Sequence, residues 1–277
     1  MKLTSAQIAQ YHTNGYLIVK ELFSSGEISL LYGSATEDEA VSQNAYNVVD
    51  STGRNSKMTL WFTPGDDPFG QLVRSERMVS AVEDLLGAAQ PPQGAKVCHF
   101  HSKLMQKESR VGGAWEWHQD YGYWYKNGFL FPEQMLSAMV ALTPANAENG
   151  CLQVISGSHR MGRVEHGFAG EQVGANLRFV EESKKYGKHL FMELEAGDVL
   201  FFHSNILHRS EANLSDRPRW SFISAYNLST NVPFNEKSTA CITPLETVPD
   251  EAVLQSALSS SGIGKEFLSK EADVTLK

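Results

Sequence analysis

From about residue 96 the chain is a succession of short apolar runs that turn residues cut off before any of them could grow into a helix. Val97 to Met105, Met135 to Leu142, Cys151 to Ile155, His189 to Leu194, Val199 to His203 and Trp220 to Asn227 each have the length and composition of a strand. Asn149-Gly150, Gly157, Gly197-Asp198 and the Asp216 to Pro218 stretch supply the turns. Strands that follow one another without long helices have no room for parallel crossovers. They must pair antiparallel, in a sandwich or a barrel.

The residues before this region read mostly as helix. Thr4 and Gln7, then Ser24 and Glu27, have the spacing of capping boxes, and Gly15 can end the first helix. Tyr16 to Val19 reads as a short strand between them. Residues 75–86 place Met78, Val79, Val82, Leu85 and Leu86 on one helical face, with Gly87 as the stop. The expected organisation is one domain over 1–277: a mostly helical flank over 1–95, a β-core over 96–230 and a polar tail over 231–277.

Charge and composition narrow the partners. The net charge of -8 disfavours nucleic acid, which needs basic surface. No apolar run nears the ~18 residues that would span a membrane. MKLTSAQIAQ at the start has no apolar core of a signal peptide, and the three cysteines, Cys98, Cys151 and Cys241, are odd in number and widely spaced. A reducing, cytoplasmic setting is expected. Nothing in the sequence specifies an oligomeric state.

Trp117-His118-Gln119-Asp120 is the segment with the most chemical content. Residues two apart in an extended chain point the same way, so His118 and Asp120 project together. Alone, such a pair is more often a surface or capping pair. A third donor, His208, follows Val199 to His203 and a short turn. Two imidazoles and one carboxylate on one face of a metal leave the other face open, as a non-haem Fe(II) centre requires. Arg219 opens the last strand, where its planar fork suits a carboxylate. Ser210 lies two residues past His208 and could add a hydroxyl. Arg217 competes with Arg219 but sits between Asp216 and Pro218, in the turn.

Four ordered segments together make the sequence resemble the phytanoyl-CoA dioxygenase family of 2-oxoglutarate-dependent oxygenases. Gln10 to Val19 (QYHTNGYLIV) is similar to its "dG-y-l-v" entry segment, and His118 to Asp120 matches its HQD motif. Glu148 to His159 (ENGCLQVISGSH) is similar to its "NGcL…PGSH" segment, with Ser156 in place of the usual proline. His208 to Arg219 resembles its distal His, Ser and Arg. The resemblance covers most of the chain.

It implies a double-stranded β-helix, a jelly-roll of cupin type, with Fe(II) held by His118, Asp120 and His208. It implies 2-oxoglutarate as co-substrate, its far carboxylate on Arg219 and Ser210, with Lys57, Lys103 and Met139 as further neighbours. A small-molecule substrate and O₂ complete the reaction, most simply a C–H hydroxylation releasing succinate and CO₂. Tyr121, Tyr123, Trp124, His101 and the loop after Ser158 are the expected substrate wall; the aromatic run could stack on a ring or enclose an ammonium. A CoA thioester is disfavoured, because no basic patch awaits its phosphates. Desaturation, epimerisation or ring formation with the same cofactors stays open. So do a non-catalytic metal-binding or sensing jelly-roll and a metallo-isomerase or hydrolase, although neither has need of Arg219. A halogenating centre is set aside, since Asp120 fills the position that halide would take.

Overall fold

The computed structural model describes residues 2–87, 94–169, 172–235, 242–256 and 265–268. Its strands are β1 (Tyr16–Val19), β2 (Tyr46–Val49), β3 (Asn55–Trp61), β4 (Val97–Lys107), β5 (Trp115–His118), β6 (Met135–Ala141), β7 (Leu152–Ile155), β8 (His166–Ala169), β9 (Gln172–Ala175), β10 (His189–Met192), β11 (Val199–His203), β12 (His208–Ser210), β13 (Arg219–Leu228) and β14 (Thr243–Pro244). The helices are α1 (Ser5–Asn14), α2 (Ser25–Glu37), α3 (Glu39–Gln43), α4 (Pro68–Arg74), α5 (Glu76–Leu86), α6 (Asp120–Trp124), α7 (Leu177–Ser183) and α8 (Ala252–Gln255). No helix among the described residues is long and apolar enough to cross a membrane.

Two antiparallel sheets form the jelly-roll. The larger runs β1-β11-β6-β13-β4-β3-β2, with β14 beside β4; the smaller runs β10-β7-β12-β5. All six strands read from the sequence after residue 96 are present. Four of them, β4, β6, β11 and β13, belong to the larger sheet and look continuously apolar because it is covered on both faces. Along β13, Trp220, Phe222 and Tyr226 point outward into one cluster with Leu31, Phe69, Val73, Met78 and Val82 of the helices. Ile223 points inward into a second cluster with Met139, Leu200, Phe202 and, from the smaller sheet, Leu152, Val154 and Met192. The inward set of β13 also contains Arg219, Ser221 and Ala225, in register with Lys107, Met105 and His101 of β4. That alternation aims Arg219 into the molecule.

The helical flank forms as its caps dictate. In both α1 and α2 the capping box is complete. Gly15 ends α1 at φ 82, where a Cβ would come within 2.4 Å of His159 Nδ1. Glu27 is buried and paired with Arg77 of α5, so the second cap also ties two helices together. The flank is not all helix, however. Residues 46–61 form the β2–β3 hairpin, which extends the larger sheet beyond β4. Asn55–Trp61 carries Ser, Lys and Thr between its apolar residues and so lacks the apolar run that marks the inner strands.

Phe222 is fully buried, with Phe69 at 5.0 Å and Trp61 stacked at 5.8 Å, centroid to centroid. Phe222→Ala should therefore cost about 3–5 kcal/mol through lost transfer energy and an uncollapsed cavity. A urea titration measures it as a fall in the unfolding midpoint.

Candidate active site

Strand pairing brings the histidines together. His118 ends β5 and His208 opens β12, and the two are direct partners in the antiparallel register. Their rings stand 4.1 Å apart, tilted by 53°. Gln119 is extended (φ -110, ψ 134), so Asp120 at the start of α6 projects to the same side as His118. Asp120 Oδ1 lies 3.8 Å from Nε2 of each histidine. These three are the only His, Cys, Asp or Glu group among the described residues able to converge on one ion, with donor atoms within 4.8 Å of one another.

Each donor is oriented by its other atom. His118 Nδ1–H donates to the Glu116 carbonyl at 2.7 Å, and His208 Nδ1–H to the Ile206 carbonyl at 3.0 Å. A carbonyl only accepts, so both protons sit on Nδ1 and both Nε2 lone pairs face the gap. Asp120 Oδ2 accepts from Ser137 Oγ at 2.7 Å, which leaves Oδ1 for the same gap. Ser137 is on β6, so this bond ties the carboxylate to the opposite sheet.

Charge states follow from the surroundings. Burial holds both imidazoles below their ordinary range, and the neighbouring His208 depresses His118 further. Burial alone would raise the Asp120 carboxyl, but Lys103, the two imidazoles and Ser137 outweigh it and hold it below the usual carboxylate range. Two neutral imidazoles and one carboxylate are the protonation states a divalent metal needs. Lys103 Nζ is 3.8 Å from Asp120 Oδ1.

The triad lines a cavity of about 320 Å³ between the sheets. Lys103, Met139, Ser210, Arg219, His101, Tyr123 and Trp124 line it too, so these sequence-read residues are brought together. Arg219 is buried, and its Nε and Nη2 donate to the Gly150 carbonyl at 3.2 and 2.9 Å while Nη1 donates to Ser221 Oγ at 3.2 Å. Among the described residues it forms no ion pair. Burial brings it down to about 10, so it stays cationic at neutral pH. A buried guanidinium held open in this way is incomplete without an anion. Arg217 is exposed in the turn.

Three expectations need correction. Lys57 does not reach the cavity: on β3 it is Met58 and Leu60 that line it, and Lys57 is an exposed side chain on the alternate face. The basic residue beside the triad is Lys103, on β4. Tyr121 is not wall but packing, buried with Phe100, Trp124 and Phe129, its hydroxyl donating to the Phe129 carbonyl at 2.7 Å. The loop after Ser158 contributes nothing to the lining among its described residues; Gln172 and Val173 of β9 do, and Tyr123 Oη donates to the Val173 carbonyl at 2.5 Å. His203 stays clear of the triad, its Nδ1 accepting from Asn205 N and its ring 5.1 Å from that of His159.

Sequence reasoning missed Ser137, Gly150 and Ser221, which orient the charged groups. Ser137 precedes Met139 by two on a strand, and that alternation was the available signal. It also missed Phe100. A bulge in the β4–β13 ladder lets neighbouring Phe100 and His101 both face the cavity.

Ser137→Ala frees Asp120 to rotate. It should weaken divalent-metal affinity about 10-fold or more, the usual effect of losing a residue that orients a ligand. A titration followed by tryptophan fluorescence reads this directly.

Comparison with known proteins adds to the geometry. The family model for phytanoyl-CoA dioxygenase (PhyH) matches residues 11–221. An ectoine dioxygenase of Bordetella parapertussis is 27% identical over 247 residues, 83% of this chain and 77% of that protein. An L-proline trans-4-hydroxylase of Streptomyces griseoviridis is 29% identical over 184 residues, 61% of this chain and 66% of that protein. The fold is that of EctD from S. alaskensis solved with 2-oxoglutarate and 5-hydroxyectoine: TM-score 0.71, 22% identity, covering 89% of this chain and 88% of that one. The carbocyclase SnoK from nogalamycin biosynthesis has a TM-score of 0.67 at 20% identity, covering 89% and 94%. The chain belongs to the phytanoyl-CoA dioxygenase (PhyH) family and is an Fe(II)- and 2-oxoglutarate-dependent dioxygenase.

Proposed function

We propose that the enzyme hydroxylates an unactivated C–H bond of a small organic metabolite, with release of succinate and CO₂. The observation behind this reading is one cavity that contains both an inward-facing His118/Asp120/His208 triad and a buried, ion-pair-free Arg219. In this reading the triad holds Fe(II), and Arg219 with Ser210 takes the far carboxylate of 2-oxoglutarate. Bound there, Fe(II) with 2-oxoglutarate and O₂ supplies the oxidant.

The chain's own residues then do four things. Glu116 and Ile206 carbonyls keep protons on the outer nitrogens of the histidines, so neither imidazole needs to lose a proton to bind metal. Gly150 and Ser221 fix the Arg219 fork, so little side-chain entropy is lost when a carboxylate arrives. Lys103 lies beside Asp120 and offsets its negative charge. Phe100, Tyr123, Trp124 and Phe202 give the cavity apolar walls that exclude water and position the C–H bond. Relatives named for ectoine and L-proline support a small-molecule substrate. Structural neighbours named as a carbocyclase and an epimerase keep ring formation and epimerisation as a second reading, which the same residues would serve.

Succinate release from 2-oxoglutarate tests the proposal. Asp120→Ala and His208→Ala should abolish both Fe(II) binding and succinate release, because two donors cannot hold the facial geometry. His203→Ala should retain metal. Full activity in either triad variant would overturn the assignment.

Arg219→Ala should raise the KM for 2-oxoglutarate roughly 10- to 150-fold, the worth of a charge-assisted contact of about 1.5–3 kcal/mol. Arg217→Ala and Lys57→Ala should each change it less than about two-fold, as exposed side chains remote from the cavity do. Steady-state titration of 2-oxoglutarate ranks the three.

A further inference from the structure

The cavity has a wall that lies outside the region the family model matches. That match ends at residue 221, yet Glu266, Phe267 and Leu268 line the cavity. They belong to residues 265–268, which lie antiparallel along the end of β3. Phe62 N–H donates to the Glu266 carbonyl at 2.9 Å, Leu268 N–H donates to the Leu60 carbonyl at 2.8 Å, and Phe267 bridges Trp61. Such a segment sends alternate side chains to opposite sides. Phe267 turns toward Trp61, ring centroids 6.2 Å apart, and Lys265 turns the same way. Lys265 is buried there against Asp67, with its Nζ 4.3 Å from the Trp61 ring. Glu266 and Leu268 take the other side, shared with cavity-lining Leu60 and Phe62. A buried charge pair is costly to misplace, so Lys265–Asp67 sets the register. A slip of one residue would bury Glu266 and expose Lys265.

Most charged groups lining the cavity are engaged. Asp120 faces the imidazoles and Lys103. Arg209 pairs with Glu211 at 2.5 Å and donates to Gln153 Oε1 at 3.0 Å. Arg219 awaits the co-substrate. Glu266 is exposed at the mouth and forms no ion pair among the described residues. Phe62, Phe100, Tyr123 and Trp124 line the same space, and aromatic faces attract cations.

We propose that Glu266 selects the substrate, which is a small organic cation carrying an ammonium, amidinium or guanidinium group. The charged end rests against Glu266 and the aromatic walls, with the carbon to be oxidised toward the triad. This rests on the assignment of the triad and Arg219 made above.

The test is a paired screen of small amines, betaines and guanidines, each beside a neutral counterpart. n-Butylguanidine beside n-butylurea and choline beside its uncharged isostere 3,3-dimethyl-1-butanol are examples. Succinate release above the substrate-free rate identifies activators. Isothermal titration onto enzyme loaded with Fe(II) and 2-oxoglutarate under nitrogen gives affinities without turnover. The activators should be the cationic members. Glu266→Gln should raise their KM and Kd about five-fold or more, the upper range for an exposed ion pair, with kcat changing less. Glu266→Lys should abolish their binding. A panel in which neutral members activate equally, no cationic member activates, or Glu266→Gln leaves Kd within two-fold overturns the proposal. Wild-type enzyme that neither binds Fe(II) nor releases succinate would instead remove the assignment of the triad, which keeps the two failures apart.

Discussion

The register of β12 against β5 sets His208 opposite His118, and the active site depends on that pairing. It places two imidazole rings 4.1 Å apart with no intervening side chain. Two rings this close and this buried must both be neutral, because a single imidazolium would lack solvation and a double charge would repel. Each ring hands its proton to a backbone carbonyl two residues earlier in its own chain segment, Glu116 and Ile206. The donors' chemistry is thus set by the local backbone rather than by other side chains. Asp120 alone is fixed by a side chain, Ser137, from the facing sheet. The triad closes only when both sheets are in register.

Burying Asp120, Lys103, Arg219 and Lys107 in or beside one cavity needs compensation, since isolated charges in a protein interior are costly. Asp120 has Lys103 and Ser137. Lys107, buried opposite Arg219 in the ladder, donates to the Glu211 carbonyl, and burial with the nearby guanidinium holds it well below its ordinary range. Arg219 has only neutral oxygens. Positive charge is therefore in excess at that end, which suits a doubly charged co-substrate and leaves its site electrostatically incomplete alone. The apolar bulk that offsets these costs lies on the other side of the same strands, where β13 packs Trp220, Phe222 and Tyr226 against the helices.

The inner strands and the triad were legible in the sequence because each has a local signature. Strands covered on both faces are unbroken apolar runs, and His118-x-Asp120 needs only an extended residue between its ends. Arg219 was separable from Arg217 because Asp216 and Pro218 confine the latter to a turn. Lys57 was misread because its neighbours alternate: whether the odd or even residues of Asn55–Trp61 face inward depends on pairing with β4, which no local pattern reveals. Tyr121 was misread for a related reason. Adjacency to Asp120 places the backbone near the metal site, but one turn of helix directs Tyr121 into packing and Tyr123 toward the cavity. Residues 265–268 carry too few residues for any periodicity, so their docking on β3 is legible only in three dimensions.

The cavity thus has two ends built from different material. Its inner end uses side chains of central strands, β4, β6, β12 and β13, whose backbones are bonded on both sides and whose outer faces are packed. A change of residue there disturbs two ladders and a core. Its mouth uses β2 and residues 265–268, elements at an edge of the sheet system, with solvent beyond them. Substitutions at the mouth alter charge and shape with few packed neighbours to disturb. A scaffold arranged in this way can keep its metal and co-substrate chemistry while its choice of substrate changes. The burial of the Lys265 side chain extends that logic: with Phe267 half-buried against Trp61, it anchors the segment and leaves Glu266 and Leu268 at the cavity to set specificity.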